Sequence, residues 1–147
     1  MVRLLPVKNR EVYMSKFITE LKLEHCQLLK MLESFKKGQG IVGREWKESL
    51  FAARELFLAH LKKEDEQLYP LMLDASVTNP DLERTLHVFT EDMKRVSAMT
   101  IRFLDKYNTV SGGTNFIQDF AEVEINLRNR IEQEESTLYP EYEKLVP

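Results

Sequence analysis

In "HLKKEDEQLYP" (His60 to Pro70) a histidine and a glutamate, His60 and Glu64, stand four residues apart. On a helix that spacing puts an imidazole and a carboxylate on one face, where both can reach the same cation. Seventy residues later "RIEQEESTLYP" (Arg130 to Pro140) aligns with it without a gap, keeping Glu134, Leu138, Tyr139 and Pro140. Its first residue is Arg130 where the earlier copy has His60. A mixed imidazole and carboxylate set suits iron, manganese or zinc and does not suit a thiolate-seeking ion. A guanidinium stays protonated and offers no lone pair, so Arg130 cannot be a ligand.

These residues lie on stripes that predict four helices. Glycines at 38, 40, 43, 112 and 113, and the break "DASVTNP" with Asn79 as cap and Pro80 in the first turn, divide the chain into segments of about 10–37, 43–74, 79–108 and 114–145. Four long helices with short loops predict an all-α, up-down-up-down four-helix bundle. Trp46, Leu50, Ala53, Phe57, His60, Glu64 and Leu68 repeat the spacing of Phe116, Phe120, Val123, Leu127, Arg130, Glu134 and Leu138. Each set keeps one helical face inward. Met14, Ile18, Leu21, His25, Leu28, Leu32 and Phe35 put His25 in the middle of a third stripe. On the remaining helix Leu82, Leu86, Phe89, Met93, Val96 and Tyr107 form the stripe, and His87 lies well off its centre.

A buried carboxylate needs a partner or a shifted pKa. A metal ion is one partner, and Arg130 is another: a permanent charge with five donors at the level of Glu64 and Glu134, with Glu91 as a further acceptor. Plainer roles exist for the same residues. His60 and Glu64 can form a simple ion pair, and Pro70 and Pro140 can kink and close their helices.

Composition bounds the rest. The length, 147 residues with 43% hydrophobic content, predicts a single domain over 1–147 with an N-terminal arm at 1–9. A net charge of −3 with both signs mixed does not favour nucleic acid as a partner. Cys26 is the only cysteine, which excludes an intrachain disulfide and points to a reducing, cytoplasmic location. No apolar run is long enough for a membrane span, and Pro6 interrupts the short apolar start, so neither a membrane segment nor a signal peptide is expected.

Together "LEHCQLLKML", "HLKKEDEQLYP", "LHVF" and "RIEQEESTLYP" resemble the hemerythrin-like (HHE cation-binding) family over nearly the whole chain. The resemblance implies a non-haem di-iron centre inside the bundle, one iron held by each half. By position, His25, His60 and Glu64 would come from the first half and His87, Arg130 and Glu134 from the second, with Glu64 and Glu134 bridging. The implied metal set is therefore His25, His60, Glu64, His87 and Glu134, holding one or two iron ions or another divalent metal. Arg130 departs from that pattern and impairs the second half-site. The family's oxygen carriers use five histidines and this chain has three, so reversible oxygen carriage is not expected.

Two functions follow as expectations. One is a metal-binding protein for sensing or for iron and oxygen handling, with dioxygen or nitric oxide as small ligands and a protein partner to report to. The alternative is a metal-free interaction module whose core is salt-bridged by Arg130. An oxidase has less support, because the second site is short of nitrogen ligands and the chain shows no nucleophile with an adjacent base and no nucleotide fingerprint.

Overall fold

A computed structural model describes residues 15–38, 44–109 and 115–146. The N-terminal arm, Met14 and the glycines at 40, 43, 112 and 113 lie outside the described residues, as does the side chain of Trp46. Helix α1 spans Lys16–Gly38. Helix α2 (Arg44–Lys63) runs through one π-helical turn, π1 (Glu64–Leu68), into α3 (Tyr69–Ser76). Helix α4 spans Pro80–Thr109, and α5 (Phe116–Gln133) runs through a second turn, π2 (Glu134–Leu138), into α6 (Tyr139–Glu143). Among the described residues there is no strand.

The four long rods form a closed ring: α1 packs on α2 and α5, and α4 packs on the same two. Antiparallel order is visible in the cross-links. Ser15 at the start of α1 donates its backbone N–H to Glu143 at the end of α6 (3.1 Å), and Arg128 reaches Glu33 at 2.5 Å farther along the same pair. The expected up-down-up-down bundle is thus the fold. Asn79 caps α4 as its sequence predicts, its Oδ1 accepting from the Leu82 N–H at 3.2 Å. Helix α1 is capped by Ser15, whose hydroxyl accepts from the Ile18 N–H at 3.1 Å; the expected residues 10–14 lie outside the described residues.

The prolines do not close their helices. In a regular α-helix the Pro70 ring would clash with the carbonyl four residues back. The chain instead widens by one residue just before it: the Tyr69 N–H bonds to the Glu64 carbonyl, five residues back, and Tyr139 does the same to Glu134. Beyond the turn the helix continues. The extra residue also resets the helical phase, so that Leu68 and Tyr69, and likewise Leu138 and Tyr139, are buried in succession. Each repeat therefore sends a glutamate and a tyrosine into the interior from one turn.

Two apolar plugs fill the bundle. Leu28, Phe35, Leu50, Phe57, Phe103 and Phe120 belong to one, while Ile18, Leu21, Leu68, Met72, Leu86 and Leu138 belong to the other. Between them, at the level where α1 passes from Leu21 to Leu28, lies a layer of polar side chains.

Candidate metal centre

That layer holds His25, His60, Glu64, Arg130 and Glu134, none more than 2% exposed. Helix α1 supplies His25, α2 supplies His60, and the two π turns begin with Glu64 and Glu134. His25 Nε2 lies 3.1 Å from His60 Nε2 and 3.2 Å from Glu134 Oε1. His60 Nε2 lies 3.1 Å from Glu64 Oε1. The outer nitrogens are held by carboxylates: His25 Nδ1 by Glu135 at 2.6 Å and His60 Nδ1 by Glu24 at 2.8 Å.

This wiring decides where the lone pairs point. A carboxylate accepts from Nδ1–H, which assigns the tautomer and leaves the Nε2 of each ring with a free lone pair. Two such lone pairs facing each other at 3.1 Å repel unless a proton or a cation lies among them. Ligand atoms about 2.1 Å from one ion and about 90° apart sit about 3.0 Å from each other. The separations between neighbouring ring nitrogens and carboxylate oxygens are all close to that edge length. Glu64 Oε1, on the histidine side, is buried without a hydrogen-bond partner, as an oxygen awaiting a cation would be, while Glu134 Oε2, likewise without one, faces Arg130. The donor set therefore fits a metal ion: His25, His60 and Glu134 offer ligand atoms all within 4.8 Å of one another, with Glu64 against His60.

Without a cation the carboxyl groups share the burden unequally. Burial, and then the charge of Glu134, pushes Glu64 well above the usual carboxylate range. Burial also acts upward on Glu134, but its contacts with His25 and Glu64 and the charge of Arg130 outweigh it and hold Glu134 well below that range. One neutral and one ionised carboxyl, hydrogen-bonded together, is the arrangement expected when two cannot both ionise. Burial raises the Tyr139 phenol, and Glu134 and Glu64 reinforce it, so Tyr139 is neutral here.

The second half of the repeat is built differently. Arg130 donates to the Phe89 carbonyl at 2.8 Å, to the Tyr69 hydroxyl at 2.8 Å and to Asp92 at 3.3 Å, and its guanidinium lies 4.8 Å above the Phe89 ring. Its Nε is 3.6 Å from Glu134 Oε2, an ion pair without a hydrogen bond. Of the two roles open to Glu91, further acceptor or solvated side chain, the structure shows the second: it is exposed and pairs with Lys94, while Asp92 takes the acceptor's place. Burial disfavours the charged guanidinium, but Glu134, Tyr69, Glu64 and Asp92 together keep it protonated.

His87 is not brought to the site. Leu86 and Phe89 face the core, and His87 between them is exposed on the outside of α4, so the ligand role implied for it by the resemblance is corrected. The internal symmetry names a different residue. Ile18, Leu21, His25, Leu28, Leu32 and Phe35 on α1 have the same spacing as Leu86, Phe89, Met93, Val96, Thr100 and Phe103 on α4, at an offset of 68. Met93, half-buried against the core, thus stands where His25 stands, and Asp92 holds Arg130 as Glu24 holds His60. The second half-site thus has Met93 and Arg130 where the first has its two nitrogen ligands. Sequence reasoning missed Glu24, Glu135, Tyr69, Tyr139, Asp92 and Met93; aligning the α1 and α4 stripes would have found the last two.

Glu24 and Glu135 give a prediction. Outer partners of ligating histidines orient the ring and set its basicity, and losing one typically costs about 10- to 100-fold in metal affinity. Glu24→Gln and Glu135→Gln are each expected to weaken metal binding by that factor in competition with a calibrated chelator. Unchanged affinity would reduce both contacts to ordinary surface ion pairs.

A helical bundle with histidines and carboxylates converging between apolar plugs defines a class of cation-binding protein. The chain belongs to the hemerythrin family: the model of the hemerythrin HHE cation binding domain matches residues 16–142. No curated protein and no solved structure matches the chain. Among the described residues no helix is long and apolar enough to cross a membrane.

Proposed function

We propose that this protein binds one non-haem iron ion per chain through His25, His60, Glu64 and Glu134, and uses it in sensing or handling a small ligand such as dioxygen or nitric oxide. The convergence of two carboxylate-wired Nε2 atoms at 3.1 Å carries the reading. Bound there, iron would supply a Lewis-acidic centre with coordination positions left over for a small molecule. The chain's own contribution is the rest. The plugs on either side exclude water, the outer carboxylates orient the rings, and Arg130 supplies positive charge to the half that has no nitrogen ligand.

The metal-free alternative draws its support from Arg130 beside Glu134, but the contact favours it weakly. The guanidinium's hydrogen bonds go to Phe89, Tyr69 and Asp92, and its Nε misses Glu134.

Elemental analysis after anaerobic Fe(II) loading and desalting tests the proposal. About one iron per chain is expected. Uptake is also expected to strengthen as pH rises, because the ion must displace the proton held on Glu64, whose pKa is raised. Lowering the pH favours that proton and weakens binding. No iron above background at any pH would overturn the reading in favour of the salt-bridged core.

A further inference from the structure

The geometry points to Tyr139 as a further ligand of the metal, through its phenolate oxygen; this rests on the cation-binding function proposed above. The two repeat tyrosines, Tyr69 and Tyr139, follow identical π turns and are both buried, yet they do different work. The Tyr69 hydroxyl accepts from Arg130 at 2.8 Å. The Tyr139 hydroxyl lies 3.2 Å from His25 Nε2 and 3.5 Å from Glu64 Oε2. Both contacts are metal-site atoms, and the shorter one matches the His25–His60 and His25–Glu134 separations. The ring stacks on His25, 5.6 Å between centroids at 11°, which holds the oxygen level with Nε2.

An ion that takes the His25 and Glu64 lone pairs removes the acceptors this hydroxyl uses. A buried hydroxyl stripped of its partners is costly, and a bond to the same ion satisfies it. The balance is simple: the phenol O–H bond breaks, its proton passes to the buffer, and an oxygen lone pair forms the bond to the metal, with no electron transferred. Phenolate is a hard oxygen donor, and tyrosinate serves as an iron ligand elsewhere in biology. With Glu64 and Glu134 ionised, the phenolate adds a third negative charge around the ion, partly offset by Arg130 beside Glu134, and so favours ferric over ferrous iron more than a neutral phenol would.

The test loads the full chain, Tyr139→Phe and Tyr69→Phe with Fe(II), quantifies the bound iron, oxidises it, and records visible absorption and resonance Raman spectra. The parent and Tyr69→Phe are expected to show a phenolate-to-iron charge-transfer band with tyrosinate modes. Tyr139→Phe is expected to lose both while keeping most of its iron, and to have a higher iron reduction potential. Zn(II) titration of the parent gives an independent readout that needs no folded variant: the ultraviolet difference signal of one tyrosinate per ion. Iron bound without the band, or a band that survives in Tyr139→Phe, overturns the assignment and leaves the proposed function intact. A parent that binds no iron overturns both.

Discussion

Arg130→Met should destabilise the protein by about 3–5 kcal/mol, the usual cost of removing one member of a buried charged set while the other stays. Methionine roughly preserves the packing of the guanidinium stem over Phe89, so the loss reports charge and hydrogen bonds. The Phe89 carbonyl, the Tyr69 hydroxyl and Asp92 all lose a donor, and Glu134 loses the cation 3.6 Å away. For a chain of this size, that corresponds to a drop in melting temperature of roughly 10 °C or more. The pH dependence has a definite sign. Arg130 helps keep the folded-state pKa of Glu134 depressed, and such a group contributes stability above its unfolded pKa that is lost as pH falls. Without Arg130 that contribution shrinks, so the gap between parent and variant should be widest near neutrality and narrow under acid. Arg130→Lys keeps the charge but not the planar fork and should fall between the two. Equal melting temperatures for parent and Arg130→Met, measured in chelator-treated protein, would mean that the layer is not held by this charge.

The second large effect is expected from His60→Ala. It removes one of the two converging Nε2 atoms and leaves Glu24 without its imidazole partner. A ligand that binds only the folded state stabilises it by about 2.7 kcal/mol when present at about 100 times its Kd. The parent should show such a gain on iron addition, and His60→Ala should show almost none, with bound iron falling to background. The variant also leaves a cavity, so its metal-free stability is the baseline for comparison. If iron stabilises His60→Ala as much as the parent, the ion sits elsewhere. Arg130→His alone should not raise the iron count to two, because Met93 still occupies the place equivalent to His25.

How far the site was legible in the sequence can be judged residue by residue. His25, His60, Glu64, Arg130 and Glu134 were placed on inward stripes by counting alone, and all five are buried in one layer. Helical phase fixes the direction of each Cα–Cβ bond, and a stripe of leucines interrupted by charge leaves few other places for those residues. Phase also set His87 off the core, and the structure leaves it exposed where family position would have made it a ligand.

Phase could not say which atoms meet. Whether His25 turns Nε2 or Nδ1 inward depends on Glu135 reaching it from another helix, and His60 depends likewise on Glu24. The placing of Tyr139 beside His25, and of Tyr69 beside Arg130, depends on the extra residue that each π turn inserts ahead of its proline. A proline in the chain announces a disturbance without saying whether the helix ends or widens. That Asp92 faces Arg130 while Glu91 turns to solvent follows from the register of α4 against α5. The sequence by itself determined the four helices and the polar residues that enter their interior. Only the tertiary structure decided which lone pairs converge, because hydrogen-bond partners from neighbouring helices orient those side chains, and those partners meet only when the bundle closes.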